Sequence, residues 1–129
     1  MNTIDTQTIS PKEFPVTVRV RTHTFRCDAS TAAGGADSGP GPHDLFDSAL
    51  ATCKAITAMW YAKHHDLPLE RVESHVESDD SQERAGVYRM RVRVELFGPL
   101  TDEQREQIQR AIAKCPIHKL MTTSDIAIE

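Results

Sequence analysis

The chain has no apolar run near the roughly 20 residues that a membrane-spanning helix needs, so no membrane partner is expected. Its opening, MNTIDTQTISPKEF, lacks a basic segment followed by an apolar one; no secretory signal is read there, and the expected location is cytoplasmic. An excess of positive charge is also missing. Lys plus Arg number 15 against 19 for Asp plus Glu, and the formal net charge of -4 gives no electrostatic ground for binding nucleic acid. Cysteine is scarce and odd in number, at 3, which argues against a disulfide framework and leaves catalysis, metal binding or plain burial. No glycine-flanked nucleophile elbow is present, so a serine or cysteine hydrolase is not expected.

What remains is an ordinary globular composition, 39% hydrophobic and 26% charged in 129 residues, enough for one domain over 1–129 with its own core. Residues 1–13 are polar and read as an N-terminal arm. Val16, Val18 and Val20 then alternate with Thr17, Arg19 and Arg21, and residues 22–27 continue in strand-forming types, which predicts a hairpin or bent ribbon. The run AAGGADSGPGP at 32–42 is the strongest loop signal in the chain.

Past Pro42, Leu45, Phe46, Ala49, Leu50, Cys53, Ile56, Trp60 and Tyr61 recur at helical spacing, with Lys54 and Lys63 elsewhere on the wheel. A helix to about His64 follows, close to 30 Å long, and therefore central. Two strands come next. Val72, Ser74 and Val76 alternate with charged neighbours, and Tyr88, Met90, Val92, Val94 and Leu96 alternate with Arg89, Arg91, Arg93 and Glu95, so acids of the first strand are expected to face arginines of the second. One wet face and one apolar face place helices on a single side of the sheet, which makes the class α+β. Thr101 with Gln104 reads as a capping box opening a helix whose buried face holds Ile108, Ala111, Ile112 and Cys115. Residues 125–129 are expected to form a last strand.

Cys53 and Cys115 each lie on or at the end of an amphipathic helix and look like a redox pair, while Cys27 is read as a buried small hydrophobe. A thiol with a pKa of about 8.5 needs a cation, a helix N-terminus or a donor to ionise. Cys53 is too deep in its helix for the dipole, which leaves Arg19, Arg21, Arg26 and His43 as candidate activators; Lys54 is adjacent but does not face its neighbour. Cys115, read at a helix C-terminus, meets a dipole that disfavours a thiolate; the sign reverses if Pro116 opens a new helix. Cys115 and His118 have the spacing of a metal-ligand pair, but no second close pair accompanies them, and neither metal nor cofactor is expected.

The run GGADSGPGPHDLFDSALATCKAITAMWYAKHHDLPL, the hairpin after it and GPLTDEQREQIQRAIAKCPIHK together resemble the OsmC/Ohr family of thiol peroxidases over residues 22–129, nearest its general OsmC-like branch. The resemblance implies antiparallel sheets around two long central helices in an intertwined homodimer, with active sites at the subunit interface. It implies Cys53 as the peroxidatic thiolate, which becomes a sulfenic acid, and Cys115 as the resolving thiol that closes a disulfide. The substrate would be an organic hydroperoxide or hydrogen peroxide, and the reductant an external dithiol, a small thiol or a lipoyl-type protein. Where the family's reductases carry a glutamate that orients an arginine, this chain has His43, with Arg21 and Arg26 the nearest candidates for that arginine. Two other functions fit the same residues. One is an apolar-ligand binder walled by Phe46, Met59, Trp60 and Tyr61; the other is a redox sensor that forms the disulfide but turns over slowly.

Overall fold

A computed structural model describes residues 2–129, which fall into two compact units, one ending at Phe46 and one spanning Asp47–Glu129. The class is mixed α+β with antiparallel sheets, as expected from the alternating strands.

In the first unit, β1 (Ile4–Thr8), β2 (Val16–Val20) and β3 (His23–Cys27) form a sheet in the order β1-β2-β3. The predicted hairpin is β2–β3, in register Val18↔Phe25, with Val18 buried between half-buried Val16 and Val20. Strand β1 lies within the stretch read as a polar arm. It pairs with β2 in register Ile4↔Val20 while all five of its side chains stay exposed, so backbone pairing forms it without any burial pattern in the sequence.

The glycine-rich run after β3 is a loop organised from its own interior. Asp28 is buried, and its carboxylate accepts hydrogen bonds from the backbone N–H of Ala29 (2.7 Å), Ala36 (3.2 Å) and Ser38 (2.9 Å) and from the Ser38 hydroxyl (2.7 Å). These donors, the Ser38 N–H foremost, hold its carboxyl below the usual carboxylate range. Chain packs closely around it. A Cβ on Gly35 would sit 2.2 Å from the Ala29 carbonyl oxygen and one on Gly39 2.4 Å from that of Arg26, so neither position admits a side chain.

Helix α1 (Pro42–His64) begins in the first unit and continues into the second. Pro42 occupies its first position, where a missing N–H is harmless, and Asp44 accepts from the Gly41 N–H at 2.8 Å. Asp66, at φ 51°, turns the chain at the far end, and the Leu67 N–H returns to the Ala62 carbonyl at 2.8 Å. His64 and His65 donate their Nδ1–H to the carbonyls of Trp60 (2.9 Å) and Tyr61 (3.0 Å), and the Tyr61 carbonyl also accepts the His65 backbone N–H at 3.1 Å.

The second unit continues with the hairpin β4 (Arg71–Asp79) and β5 (Arg89–Phe97), then α2 (Asp102–Ile112) and α3 (Pro116–Thr123). Acids face arginines across the hairpin at Glu77↔Arg91 and Asp79↔Arg89, but Glu73 faces Glu95. That like-charged pair is relieved along each strand, where Arg71 pairs with Glu73 at 3.1 Å and Arg93 pairs with Glu95. The Thr101 capping box forms in both directions, with the Gln104 N–H reaching Thr101 Oγ1 at 3.1 Å. Ala58 and Ala62 of α1, Leu96 of β5, and Ile108 and Ile112 of α2 make the buried core, and Arg105 ties α2 to β5 through the Leu96 carbonyl at 2.6 Å. Residues 124–129 form no strand, contrary to expectation; Ile126 and Ile128 are exposed, and alternation alone cannot supply the ladder a strand requires.

Candidate functional site: two cysteines and a buried lysine

The buried row of α1 within the second unit is Leu50, Lys54, Ala58 and Ala62, each four residues from the next. This corrects the helical wheel read from sequence, which set Lys54 off the apolar face and put Ile56 and Trp60 on it; Ile56, Met59 and Trp60 are exposed. Ala58 and Ala62 of this row pack with Leu96, Ile108 and Ile112 in the buried core, so this is the face that α1 turns inward. Cys53, next to this row, is half-buried, and its Sγ lies 3.9 Å from Thr57 Oγ1 on the following turn.

Cys115 is fully buried and sits between α2 and α3. The sequence leaves two settings for it, the C-terminal end of one helix or the start of a new one opened by Pro116. The second holds: α2 ends at Ile112, Pro116 takes the first position of α3, and Cys115 is the N-cap of that helix. Proline forces this, because it cannot continue α2 and is favoured where a helix begins. The dipole at Cys115 therefore has the sign that favours a thiolate, and the His118 backbone N–H is directed at its sulfur. Burial nevertheless dominates and pushes the Cys115 thiol up; the His118 N–H and the Lys54 charge act in the opposite direction, while a hydrogen bond to Cys53 adds to the rise. Both cysteines are free thiols, and the fold brings them together.

Lys54 is the residue that sequence reasoning passed over. It is 4% exposed, and its Nζ donates to the Ile112 carbonyl at 3.0 Å and meets His118 Nδ1 at 2.8 Å. Its signal was there to be read in the four-residue row running through two alanines. The other candidate activators belong to the first unit. Arg21 sits in the β2–β3 turn at φ 54° and donates to Asn2 Oδ1 at 3.3 Å, Arg19 pairs with Asp5 at 3.7 Å, Arg26 is exposed on β3, and His43 lies in the first turn of α1.

An open cavity of about 420 Å³ adjoins the lysine, lined by Leu50, Lys54, Tyr88, Met90, Val92, His118, Met121 and Thr122. Its wall differs from the aromatic one expected: Phe46, Met59 and Trp60 are exposed, and Tyr61 stacks on His65 at 4.0 Å. Glu73, His75 and Glu95 bring donor atoms within 4.8 Å of one another on the hairpin, but both carboxylates are already paired with arginines.

Residues 34–129 match the family of OsmC-like proteins. The chain belongs to that family. Its fold is similar to that of an OsmC-like protein from Mycoplasma pneumoniae, at TM-score 0.74 and 18% identity over 95% of this chain and 88% of the other. A structure from Psychrobacter arcticus described as an osmotic stress induced and detoxification response protein gives TM-score 0.79 at 16% identity, covering 95% and 90%. The organic hydroperoxide resistance protein OhrB of Bacillus subtilis gives 0.62 at 17%, covering 96% and 92%. No curated protein matches the sequence. In this OsmC-like protein no helix among the described residues is long and apolar enough to cross a membrane.

Proposed function

We propose that this OsmC-like protein is a thiol-dependent hydroperoxide reductase. Family membership and the fold shared with organic hydroperoxide resistance proteins support a role in peroxide resistance. The observation that carries the finer reading is the pairing of a half-buried free Cys53 with a fully buried free Cys115. A peroxide can reach the first and not the second. The Cys53 thiolate attacks the terminal peroxide oxygen; an S–O bond forms, the O–O bond breaks, and the alcohol leaves with a proton. Cys115 then attacks the Cys53 sulfur, an S–S bond replaces the S–O bond, and water departs. An external dithiol takes the disulfide back to two thiols and is itself oxidised. The protonated state that burial favours suits Cys115 as resolver rather than attacker. Arg21, Arg26 and His43 remain the proposed activators of Cys53.

The exposed Ile56, Met59 and Trp60 on α1 support a second copy of the chain as partner, in the homodimer that the family resemblance implies. The test is consumption of an organic hydroperoxide with a dithiol as reductant. Wild type turns over, Cys53→Ser does not, and Cys115→Ser completes its first step and then stalls at the sulfenic acid. Wild type consuming no more than Cys53→Ser would overturn the enzyme reading. The cavity beside Lys54 favours a second reading, an apolar-ligand binder, whose affinity would survive replacement of both cysteines.

A further inference from the structure

Lys54 has no part in the reaction as written above, yet it is among the most deeply buried polar side chains of the chain. Removing an ammonium from water is costly unless a counter-charge or full hydrogen bonding replaces the solvent. Both of its hydrogen-bond partners are neutral acceptors, the Ile112 carbonyl and the His118 imidazole. An ammonium has donors only, so His118 Nδ1 accepts and the ring proton lies on Nε2. These two partners stand on either side of Cys115 in the chain, one at the end of α2 and the other in the first turn of α3. Lys54 thus grips both ends of the segment that carries Cys115, and it does so from the residue next to Cys53.

We infer that Lys54 is a positioning residue for disulfide closure: it clamps the α2–α3 junction so that Cys115 faces Cys53, and it supplies the counter-charge for the Cys115 thiolate. The inference rests on the two-cysteine reading above. The anion missing from the resting site is the one the resolving step creates. The charged and titratable groups facing Cys115 are Cys53 and Lys54 from α1, with the His118 N–H from α3; of these Lys54 carries the positive charge. In the step itself Cys115 gives up its proton, its sulfur bonds to Cys53, and the departing hydroxide takes a proton to leave as water. Lys54 keeps its charge throughout, and no further oxidant or reductant is consumed.

Closure can be timed without peroxide. Dithiobis(nitrobenzoate) loads the accessible Cys53 and releases one thionitrobenzoate; attack by Cys115 then releases a second, followed by absorbance from about pH 5 to about pH 10. Lys54→Met, which keeps an apolar stem and loses the charge, is expected to slow the second release at least about tenfold at neutral pH and to raise its pH midpoint by about one unit. Lys54→Arg retains the wild-type midpoint. Should Lys54→Met fail to fold by circular dichroism, Lys54→Gln carries the same comparison. A second release at the wild-type rate in the neutral variant overturns the proposal. So does a slower release with an unmoved midpoint, which would make Lys54 a structural brace alone. Wild type that closes its disulfide here but consumes no hydroperoxide would sink the peroxidase reading and leave the lysine's role standing.

Discussion

Shortening Lys54 separates what its stem does from what its charge does. The side chain is 4% exposed, so its methylenes are packed and its ammonium is dry. Lys54→Met keeps three heavy atoms beyond Cβ, and Lys54→Ala keeps none. At about 0.8 kcal/mol per buried methylene, Lys54→Ala should be less stable than Lys54→Met by about 2.4 kcal/mol. The head group enters both variants equally. Each loses the hydrogen bonds to the Ile112 carbonyl and His118 Nδ1, and each is relieved of a desolvated charge; these opposing terms should leave Lys54→Met within about 2 kcal/mol of wild type. The measurement is urea unfolding followed by far-ultraviolet circular dichroism at one fixed protomer concentration, because association would otherwise shift the midpoint. Equal stability of the Ala and Met variants would show that the stem packs against nothing. A Met variant far less stable than the stated bound would show that the ammonium is retained for the fold rather than for chemistry.

Two further outcomes follow from other parts of the chain. Asp28→Ala removes the acceptor of the donors from Ala29, Ala36 and Ser38, and should speed amide exchange and proteolysis across 29–41. Because the folded pKa of Asp28 is depressed, its contribution is complete above the unfolded value of about 4 and is lost as pH falls through the folded one; loop protection should be flat from neutral pH down to about 5 and fall only in stronger acid. Unchanged exchange in the alanine variant would refute this account of the loop. Thr101→Ala breaks a two-way capping box and should cost about 1 kcal/mol in urea unfolding, with faster exchange confined to the first turn of α2.

Much of this site could be read before the structure, and what escaped did so for physical reasons. The Thr101 box and the alternation of β5 are local signals that tertiary contacts leave intact, so they survived folding unchanged. Lys54 escaped because a charge on a helix is ordinarily solvated, and only the small residues at 58 and 62 show that its face is the buried one. For Cys115 the sequence leaves both helix ends open, since a proline after it can follow one helix or begin the next, and only the fold selects the start of α3. Asp28 gave no signal at all. Its donors are backbone N–H groups, which every sequence possesses and only a folded loop converges. Strand β1 is silent for a similar reason, being held by its ladder and burying nothing.

Cys27, at the end of β3, is 5% exposed. Its enclosure makes it a reference mark for the oxidation state of the other two. When the protein is unfolded without reductant, the reduced form yields three titratable thiols, an overoxidised Cys53 leaves two, and a closed disulfide leaves only the Cys27 thiol. The reduced protein, the closed disulfide and any form with Cys53 alone oxidised can therefore be told apart by counting.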